Sequence, residues 1–439
     1  MKNTDRIQLK SFLTATIILL VLLVATGIIA TVTTMNSDTP IAIWRTITAP
    51  IESLWGSNST VAIVIIVFIL VVGGSINVLR QANIIEHMLN GVIKRYKDRK
   101  YVLLLAITLI FMAIGALFGV FEEIVPLVPV MIILSKKLGW DVKTGLGMSI
   151  LATGFGFSAA ITNPFTIGIA QSIVGLPLYS GIFYRIIIFI IVFFILYGFL
   201  YLHSKKVEVK TDETLEEMDY EKPKKKAVVW VLALFGLMML SILASPFVPL
   251  LRDINLVLIT LYFLLMGIGV SFLSYSKPSE GLKKYIQGSV ELAPGIMLVL
   301  IAFGINHLIT ISGTLDRLIL YLTESFSSAS KSAIISGSFG FTLIAEFFVS
   351  SGSAKAAIIL PILDPVLTNQ SISSQLGVLA YQFGDGYTNM FYPTNPVLLV
   401  SLGLAGMSYF KWFKWTFILQ AIILLLSVGF LLLGLVIGY

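Results

Sequence analysis

Apolar segments of about 20 residues recur along the whole 439-residue chain. A helix of that length is about 30 Å long, which is enough to cross the hydrocarbon core of a bilayer. Only 12% of the residues are charged, about half the share found in an average soluble domain. The pattern predicts an all-α polytopic membrane protein and excludes a soluble multidomain enzyme.

The apolar segments divide into ordinary spans and longer stretches. Spans are predicted at residues 11–33, 59–80, 181–202, 228–246, 254–273, 288–311 and 411–437, and longer stretches at 101–136, 144–175, 332–365 and 374–406. The hydrophilic stretch 203–226 separates an N-terminal part, 1–202, from a C-terminal part, 227–439, and its mixed charge favours a flexible cytoplasmic linker. We expect about nine crossings plus two re-entrant hairpins, or about 12 to 13 apolar segments with hairpin arms and helix halves counted separately.

The lysines and arginines predict the orientation. In the loops, 24 of them fall on the side of the N-terminus and five on the opposite side. The positive-inside rule then places the N-terminus in the cytoplasm and the C-terminus outside the cell membrane, and a bacterial source is expected. The first apolar run of 23 residues is too long for a signal peptide, so we expect a retained span. The net charge of +7 therefore indicates orientation, and no nucleic-acid partner is expected.

Composition and motifs disfavour an enzyme. The chain has no cysteine and only three, widely separated histidines, so thiolate and zinc sites are not expected. No Walker A motif is present, which disfavours nucleotide-driven pumping. Ser351 and Lys355 resemble a Ser/Lys dyad, but no oxyanion site is evident beside them. We expect no cofactor, and Na⁺ or H⁺ stays open as a coupling ion.

The two halves resemble each other at an offset of about 230 residues, which predicts an internal repeat. The matched motifs are Ile76-Asn77 with Ile305-Asn306, Gly154-Phe155-Gly156 with Gly384-Asp385-Gly386, and Thr162-Asn163-Pro164 with Thr394-Asn395-Pro396. The extra crossing at 228–246 would invert the second half. Inverted repeats are typical of secondary transporters, whose site lies near the midplane between the repeats. An inert duplicated scaffold is the alternative.

Two of the long stretches predict broken helices. Stretch 144–175 has 32 residues, about 48 Å as one helix and more than a perpendicular crossing needs. Pro164 removes a backbone donor and disfavours helix at Asn163, and residues 392–396 do the same in stretch 374–406. Such a break is tolerated only inside protein or beside a wet cavity. The pair predicts a binding site, with carbonyls and hydroxyls for Na⁺ near both asparagines and helix ends for a carboxylate; a packing kink is the alternative.

Stretches 101–136 and 332–365 each begin and end on one side, so each is either two spans or one re-entrant hairpin. Glycines, prolines and serines in their middles favour hairpins. The first tip would hold Glu122 and Glu123, and the second tip would hold residues 350–353 with Lys355 close by. Two acids at a buried tip cost several kcal/mol unless a cation or a proton pairs with them.

Three motifs resemble a known family. They are GALFGVFEEIVPLVPVMIIL at 115–134, GFGFSAAITNPFTIGIAQSIVGLP at 154–177 and YQFGDGYTNMFYPTNPVLLVSLGLAG at 381–406. The chain resembles the YfcC family over almost its whole length. That family is related to the DcuC-type carriers within the ion-transporter superfamily, which also holds the p-aminobenzoyl-glutamate transporters and the dicarboxylate/sodium symporters. The resemblance implies a dimerising scaffold domain, a transport domain with two hairpins and two broken helices, and elevator-type alternating access.

The repeat and the resemblance together place candidate substrate- or ion-binding residues at the tips and breaks. These residues are Glu122, Glu123, Gly154, Gly156, Thr162, Asn163, Pro164, Ser350, Ser351, Gly352, Ser353, Gly384, Asp385, Gly386, Asn389, Thr394, Asn395 and Pro396. The symporters carry Ser-Asn-Thr at both breaks, whereas this chain has Thr-Asn-Pro. The resemblance therefore does not extend to the motif that forms the substrate and sodium sites of those symporters.

Charge favours one substrate class over another. The YfcC resemblance implies basic amino acids, with arginine/ornithine exchange in some members, and the DcuC resemblance implies C4-dicarboxylates. Glu122, Glu123, Asp385 and Glu346 outnumber the one base, Lys355. These acids would repel a dianion and attract a cationic side chain. We predict a secondary active transporter of basic amino acids, by exchange or ion-coupled uptake. A carrier of C4-dicarboxylates or other carboxylates is the alternative, and a non-transporting scaffold or sensor is the alternative of another class.

Overall fold

The computed structural model describes residues 2–35, 39–56, 59–96, 99–209, 221–244, 248, 251, 254–314, 317, 326, 329–349 and 351–439. Every regular element among these residues is helical. The first half contains α1 (Lys2–Thr34), α2 (Arg45–Glu52), α3 (Ser59–Gln81), α4 (Ile84–Tyr96), α5 (Lys100–Phe118), α6 (Val128–Lys137), α7 (Val142–Leu146), α8 (Ala152–Ser158), α9 (Ile169–Ile173) and α10 (Ile182–Val207). The second half contains α11 (Lys225–Ala244), α12 (Asn255–Ser274), α13 (Pro278–Ser312), α14 (Lys331–Phe348), α15 (Gly352–Asn369), α16 (Ser374–Gly386), α17 (Pro396–Leu404) and α18 (Tyr409–Ile437).

Eight of the described helices are long and apolar enough to cross a membrane. Their apolar parts are Thr16–Thr34, Ala62–Gln81, Lys100–Phe118, Ile182–Val207, Lys225–Ile242, Asn255–Ser274, Gly295–Ser312 and Tyr409–Ile437. The predicted all-α membrane architecture is confirmed. The total number of crossings and the inverted orientation of the second half stay predictions.

Several helices extend beyond their predicted apolar spans. Helix α10 continues through Lys205 and Lys206 to Val207, past the predicted start of the linker at residue 203. Lysines in a last turn interact favourably with the carbonyl end of the helix and keep their ammonium groups in water. Helix α13 begins at Pro278, ahead of the predicted start at 288, with Pro278 at its first position. Hydropathy marks where a helix is apolar, whereas caps mark where it ends.

The helices form two groups by their packing. Helices α1, α2, α3, α11, α12 and α13 contact one another extensively, and we call them the first group. The two predicted hairpins, the two broken helices, α10 and α18 form the second group. The main contact between the groups is that of α17 with α13.

Within the second group, the two halves of the chain pack in corresponding ways. The first arm of each hairpin, α5 or α14, contacts the first part of the following broken helix, α8 or α16. Each hairpin also contacts the other half of the chain. Helix α15, the second arm of the second hairpin, contacts the segment Pro164–Ile173. The 3₁₀ turn Glu122–Leu127, at the tip of the first hairpin, contacts α17. Both hairpin tips and both breaks therefore lie close together.

Four glycines that the sequence places among the candidate site residues lie at close helix contacts. A Cβ atom at Gly156 would overlap the carbonyl oxygen of Met112, and one at Gly386 would lie 2.5 Å from Ser158 Cα. Gly154 and Gly384 pack in the same way, against Met390 and Thr342. Small residues allow helices in membranes to approach closely. These positions therefore allow the site-bearing segments to pack closely together.

We predict that Gly156→Ala lowers the melting temperature of the purified protein, because the new methyl group meets backbone rather than a movable side chain. Overpacking of this kind typically costs about 1–3 kcal/mol. The matched control is Gly198→Ala in α10, where nothing lies within 4 Å of the added Cβ. Thermal unfolding in detergent should show a clear drop for the first variant and none for the second. Equal melting temperatures would contradict this account of the α5–α8 contact.

Candidate functional site

The first hairpin tip lies against the first helix break. Helix α5 ends at Gly119, which adopts the left-handed conformation (φ 67°). The carbonyl of Ala116 accepts the N–H groups of residues 161–163 at 2.9, 3.1 and 3.1 Å. The hydroxyl of Thr162 donates to the carbonyl of Leu117 at 2.8 Å. The hairpin therefore supplies the acceptors that the interrupted backbone needs in a membrane.

An asparagine caps the helical segment that follows each break. Asn163 Oδ1 accepts the N–H of Phe165 at 3.0 Å, and Asn395 Oδ1 accepts those of Val397 and Leu398 at 3.0 and 3.1 Å. In both motifs the next residue is a proline at the first helical position, where its missing N–H costs nothing. Asn395 thus occupies N–H groups of α17 that we expected to face a carboxylate.

A hydrogen-bonded chain connects the second break to α16. Asn395 Nδ2 donates to Asn389 Oδ1 at 2.6 Å, and Asn389 Nδ2 donates to the carbonyl of Asp385 at 3.0 Å. All three residues are buried. The two asparagines therefore fix the position of the 3₁₀ turn Tyr387–Met390 beside the break.

Lys355 forms a buried ionic cluster with two acids behind the second hairpin tip. Its side chain is fully buried, its Nζ lies 2.8 Å from Asp385 Oδ1, and it also contacts Glu346 Oε2. The same Nζ donates to the carbonyl of Val349 at 2.8 Å. A lysine held by two carboxylates and a carbonyl is not a free base for a Ser351 nucleophile.

The acids of the first tip have no cationic partner among the described residues. Glu123 Oε1 accepts from Asn255 Nδ2 of α12 at 2.9 Å, and Glu123 Oε2 accepts from the N–H of Phe121 at 3.0 Å. Glu122 forms no ion pair with a described residue. Both glutamates are half-buried. The Asn255 contact also connects the first tip to the first helix group.

A cavity of about 220 Å³ lies between the tips and the breaks. The candidate residues that line it are Glu122, Glu123, Ser351, Gly352, Ser353, Asn389, Asn395 and Pro396. The lining also includes residues that the sequence did not single out as candidates, namely Ile65, Gly119, Phe121, Phe157, Phe165, Thr166, Phe303, Asn306 and Val397. Since Ile65, Phe303 and Asn306 belong to α3 and α13, the cavity lies between the two helix groups.

The remaining described candidates do not line this cavity. Thr162, Asn163 and Pro164 form the first break behind Gly119, where Asn163 Oδ1 occupies the space that a Cβ would fill. Thr394 lines a smaller adjoining pocket. Asp385 belongs to the Lys355 cluster, and Ser350 lies outside the described residues. Among the residues that the structure describes, no three His, Cys, Asp or Glu side chains form a group that could hold a metal ion.

Two helical groups of a membrane protein enclose a cavity with a few polar groups, and comparison with known proteins identifies the family as one of membrane transporters. A family model described as "DcuC: C4-dicarboxylate anaerobic carrier" matches residues 7–436. The chain belongs to the DcuC family, a family of carriers and not of enzymes. The resemblance to DcuC-type carriers is therefore confirmed.

Curated relatives agree with this assignment. The chain is 26% identical over 392 residues to the "Putative basic amino acid antiporter YfcC" of Escherichia coli, covering 83% of this chain and 76% of the relative. It is 22% identical to an "Uncharacterized protein" of Haemophilus influenzae, covering 85% of this chain and 75% of that one. The YfcC resemblance is thereby confirmed.

Among solved structures, the YdaH transporter of Alcanivorax borkumensis is similar at 17% identity and a TM-score of 0.47, covering 85% of both chains. MtrF of Neisseria gonorrhoeae, described within a class of antimetabolite efflux pumps, is similar at 15% identity and a TM-score of 0.43. The match covers 95% of this chain and 94% of the MtrF chain.

We predict that Asn395→Ala destabilises the protein more than Asn163→Ala, because Asn395 caps two N–H groups and Asn163 caps one. Loss of an N-cap costs about 1 kcal/mol, with a range of roughly 0.5–2. The control is Asn369→Ala at the exposed end of α15, which should change stability by less than about 0.5 kcal/mol. Thermal unfolding of the three variants tests the order, and a drop for Asn369→Ala equal to that for Asn395→Ala would contradict the capping role.

Proposed function

We propose that this protein is a secondary active transporter of amino acids with cationic side chains. The observation that carries the proposal is the charge of the cavity. Glu122 and Glu123 are the charged side chains in its lining, and neither has a cationic partner among the described residues. Lys355, the base nearest to the second tip, is held by Glu346 and Asp385.

The electrostatic cost of each substrate class supports this choice. Partly buried acids are expensive unless a cation or a proton accompanies them, and a guanidinium or ammonium group of a substrate supplies that cation. A dicarboxylate would instead bring two further negative charges beside the two glutamates. Like charges about 4 Å apart repel by roughly 4 kcal/mol at an effective dielectric constant near 20. A dianion would therefore need two or more cations to enter with it.

The rest of the lining suits the common part of an amino acid. Ser351, Ser353 and Asn389 offer neutral donors and acceptors for an α-amino and an α-carboxylate group. Phe121 and Phe157 provide apolar surface for a methylene chain and aromatic faces for a cation. A mostly apolar pocket with a few convergent polar groups is the usual form of a small-molecule site.

The position of the cavity supports alternating access by relative movement of the two helix groups. Because residues of both groups line the cavity, sliding of the second group against the first would open it to one side of the membrane and then to the other. We propose an elevator-type movement, with the first group serving as a dimerising scaffold. We also propose a bacterial cell-membrane location with the N-terminus in the cytoplasm and the C-terminus outside, on the basis of the charge count.

The name of the E. coli relative supports exchange of basic amino acids. The description of the family model supports the second candidate function, carriage of a C4-dicarboxylate. The two candidates differ in the charge that the cavity must accept, so one assay can separate them.

We predict that proteoliposomes containing the protein exchange arginine, ornithine or lysine. Counterflow should be measured with these amino acids and with succinate, fumarate and a short-chain acid, each as the labelled substrate. Accumulation of cationic amino acids alone supports the proposal. Accumulation of succinate or fumarate alone would replace it by the dicarboxylate function, and no accumulation of any compound would favour a non-transporting scaffold or sensor.

Replacing the cavity acids tests the role of charge. Glu122→Gln and Glu123→Gln should each reduce counterflow of a cationic amino acid by about tenfold to a hundredfold, since a hydrogen bond to a charged group contributes about 1.5–3 kcal/mol. The matched control is Glu280→Gln at the exposed start of α13, which should retain full activity. Wild-type counterflow in both cavity variants would remove these acids from the substrate site.

A further inference from the structure

The ammonium group of Lys355 occupies a small site made of oxygen atoms. Asp385 Oδ1 and the carbonyl oxygen of Val349 each lie 2.8 Å from Nζ, and Glu346 Oε2 completes the contact. These atoms come from α14, the second hairpin tip and α16, so the lysine joins the hairpin to the broken helix. None of the three charged side chains is more than 1% exposed.

Carboxylate and carbonyl oxygens are the donors that hard metal cations use in proteins. An oxygen site of this kind, at a hairpin tip beside a helix break, would suit an alkali cation if it were empty. In this chain the side-chain nitrogen of Lys355 fills it. A second cation at the same oxygens would have to share them with the ammonium group, and like charges repel strongly in a buried site.

A second resident cation lies at the first break. Arg185 is buried, and its Nε donates to the carbonyl of Ile161 at 3.0 Å. Its Nη1 and Nη2 donate to the carbonyls of Ser180 and Tyr179 at 2.7 and 3.2 Å. The guanidinium group thus binds a carbonyl of the interrupted segment, where the sequence had suggested a sodium ion.

The two break asparagines use their amide oxygens as helix caps. Asn395 Oδ1 already accepts two N–H groups, which uses both of its lone pairs. Asn163 is fully buried, and its Oδ1 accepts the N–H of Phe165 and lies against Gly119.

We infer that this transporter carries its site cations as side chains, Lys355 and Arg185, and that it exchanges its substrate without binding an alkali cation. The transport part of this inference rests on the proposed function. These two side chains connect the hairpin and the breaks in the way that a bound ion would. The cationic substrate is then the ion that binds to the cavity acids and leaves them during exchange.

The first test replaces ions around the wild-type protein. Exchange of the cationic amino acid is measured in proteoliposomes with NaCl, and then with choline chloride at the same ionic strength on both sides. The rates should agree within about twofold, because no site loses an ion. A fall of about tenfold or more in choline, reversed by Na⁺, would overturn the inference and leave the proposed function standing. If no amino acid is exchanged in either salt, the proposed function fails, and thermal unfolding decides the cation question alone.

The second test empties the oxygen site. Lys355→Ala removes the ammonium group and leaves Glu346 and Asp385 facing an open space. The variant should unfold at a higher temperature in NaCl, LiCl or methylammonium chloride than in choline chloride, with saturation as the cation concentration rises. The wild-type protein and the control Lys331→Ala, at an exposed lysine on α14, should show no such difference.

Two outcomes of the second test would overturn the inference. One is a folded, monodisperse Lys355→Ala variant whose stability does not depend on the cation. The other is a cation-specific shift of equal size in the wild-type protein. If Lys355→Ala does not fold, the ion replacement and the unfolding of the wild-type protein in NaCl and choline chloride decide the question without any variant.

Discussion

The structure depends on one constraint, that a backbone interrupted inside a membrane must find its hydrogen-bond partners within the protein. The first break meets this constraint through the first hairpin, because a single carbonyl, that of Ala116, accepts the N–H groups of residues 161–163. The second break meets it through Asn395, which caps two N–H groups of α17. Hairpin and break therefore stabilise each other. The polar groups gathered for that purpose also surround the cavity.

A second constraint concerns charge in the same region. Lys355 sits between two carboxylates, and breaking a buried ionic cluster by removing one member is more costly than the cluster is stabilising. Glu346 and Asp385 therefore serve to stabilise the structure around Lys355. Glu122 and Glu123 are different. The groups that donate hydrogen bonds to Glu123, the side chain of Asn255 and the N–H of Phe121, are neutral, and no described cation pairs with Glu122. The cavity thus holds two acids that no described cation neutralises.

Sequence reasoning predicted the helical membrane architecture and the position of both interruptions. This worked because an apolar run and the missing N–H of a proline such as Pro164 act locally. It did not predict the pairing of Lys355 with Glu346 and Asp385, since that pairing depends on how three helices pack. Asn255 was missed because it opens an apolar span like any other. Gly156 was included for its motif, and only the helix contact shows why no side chain fits there.

Family membership and the charge of the cavity bear on different questions. The family model identifies the chain as a carrier and describes a dicarboxylate as cargo, but a shared fold hosts different substrates through local changes in its site. Here the local chemistry is acidic, and its buried lysine is already balanced by two acids, so it offers no positive charge to a dianion. A dicarboxylate would need cations from solution to accompany it. Oxygen sites beside the two breaks would not hold those cations, because Lys355 and Arg185 already occupy them. Because the physical cost falls on the dianion in each of these steps, we propose a cationic amino acid and not a dicarboxylate as the substrate.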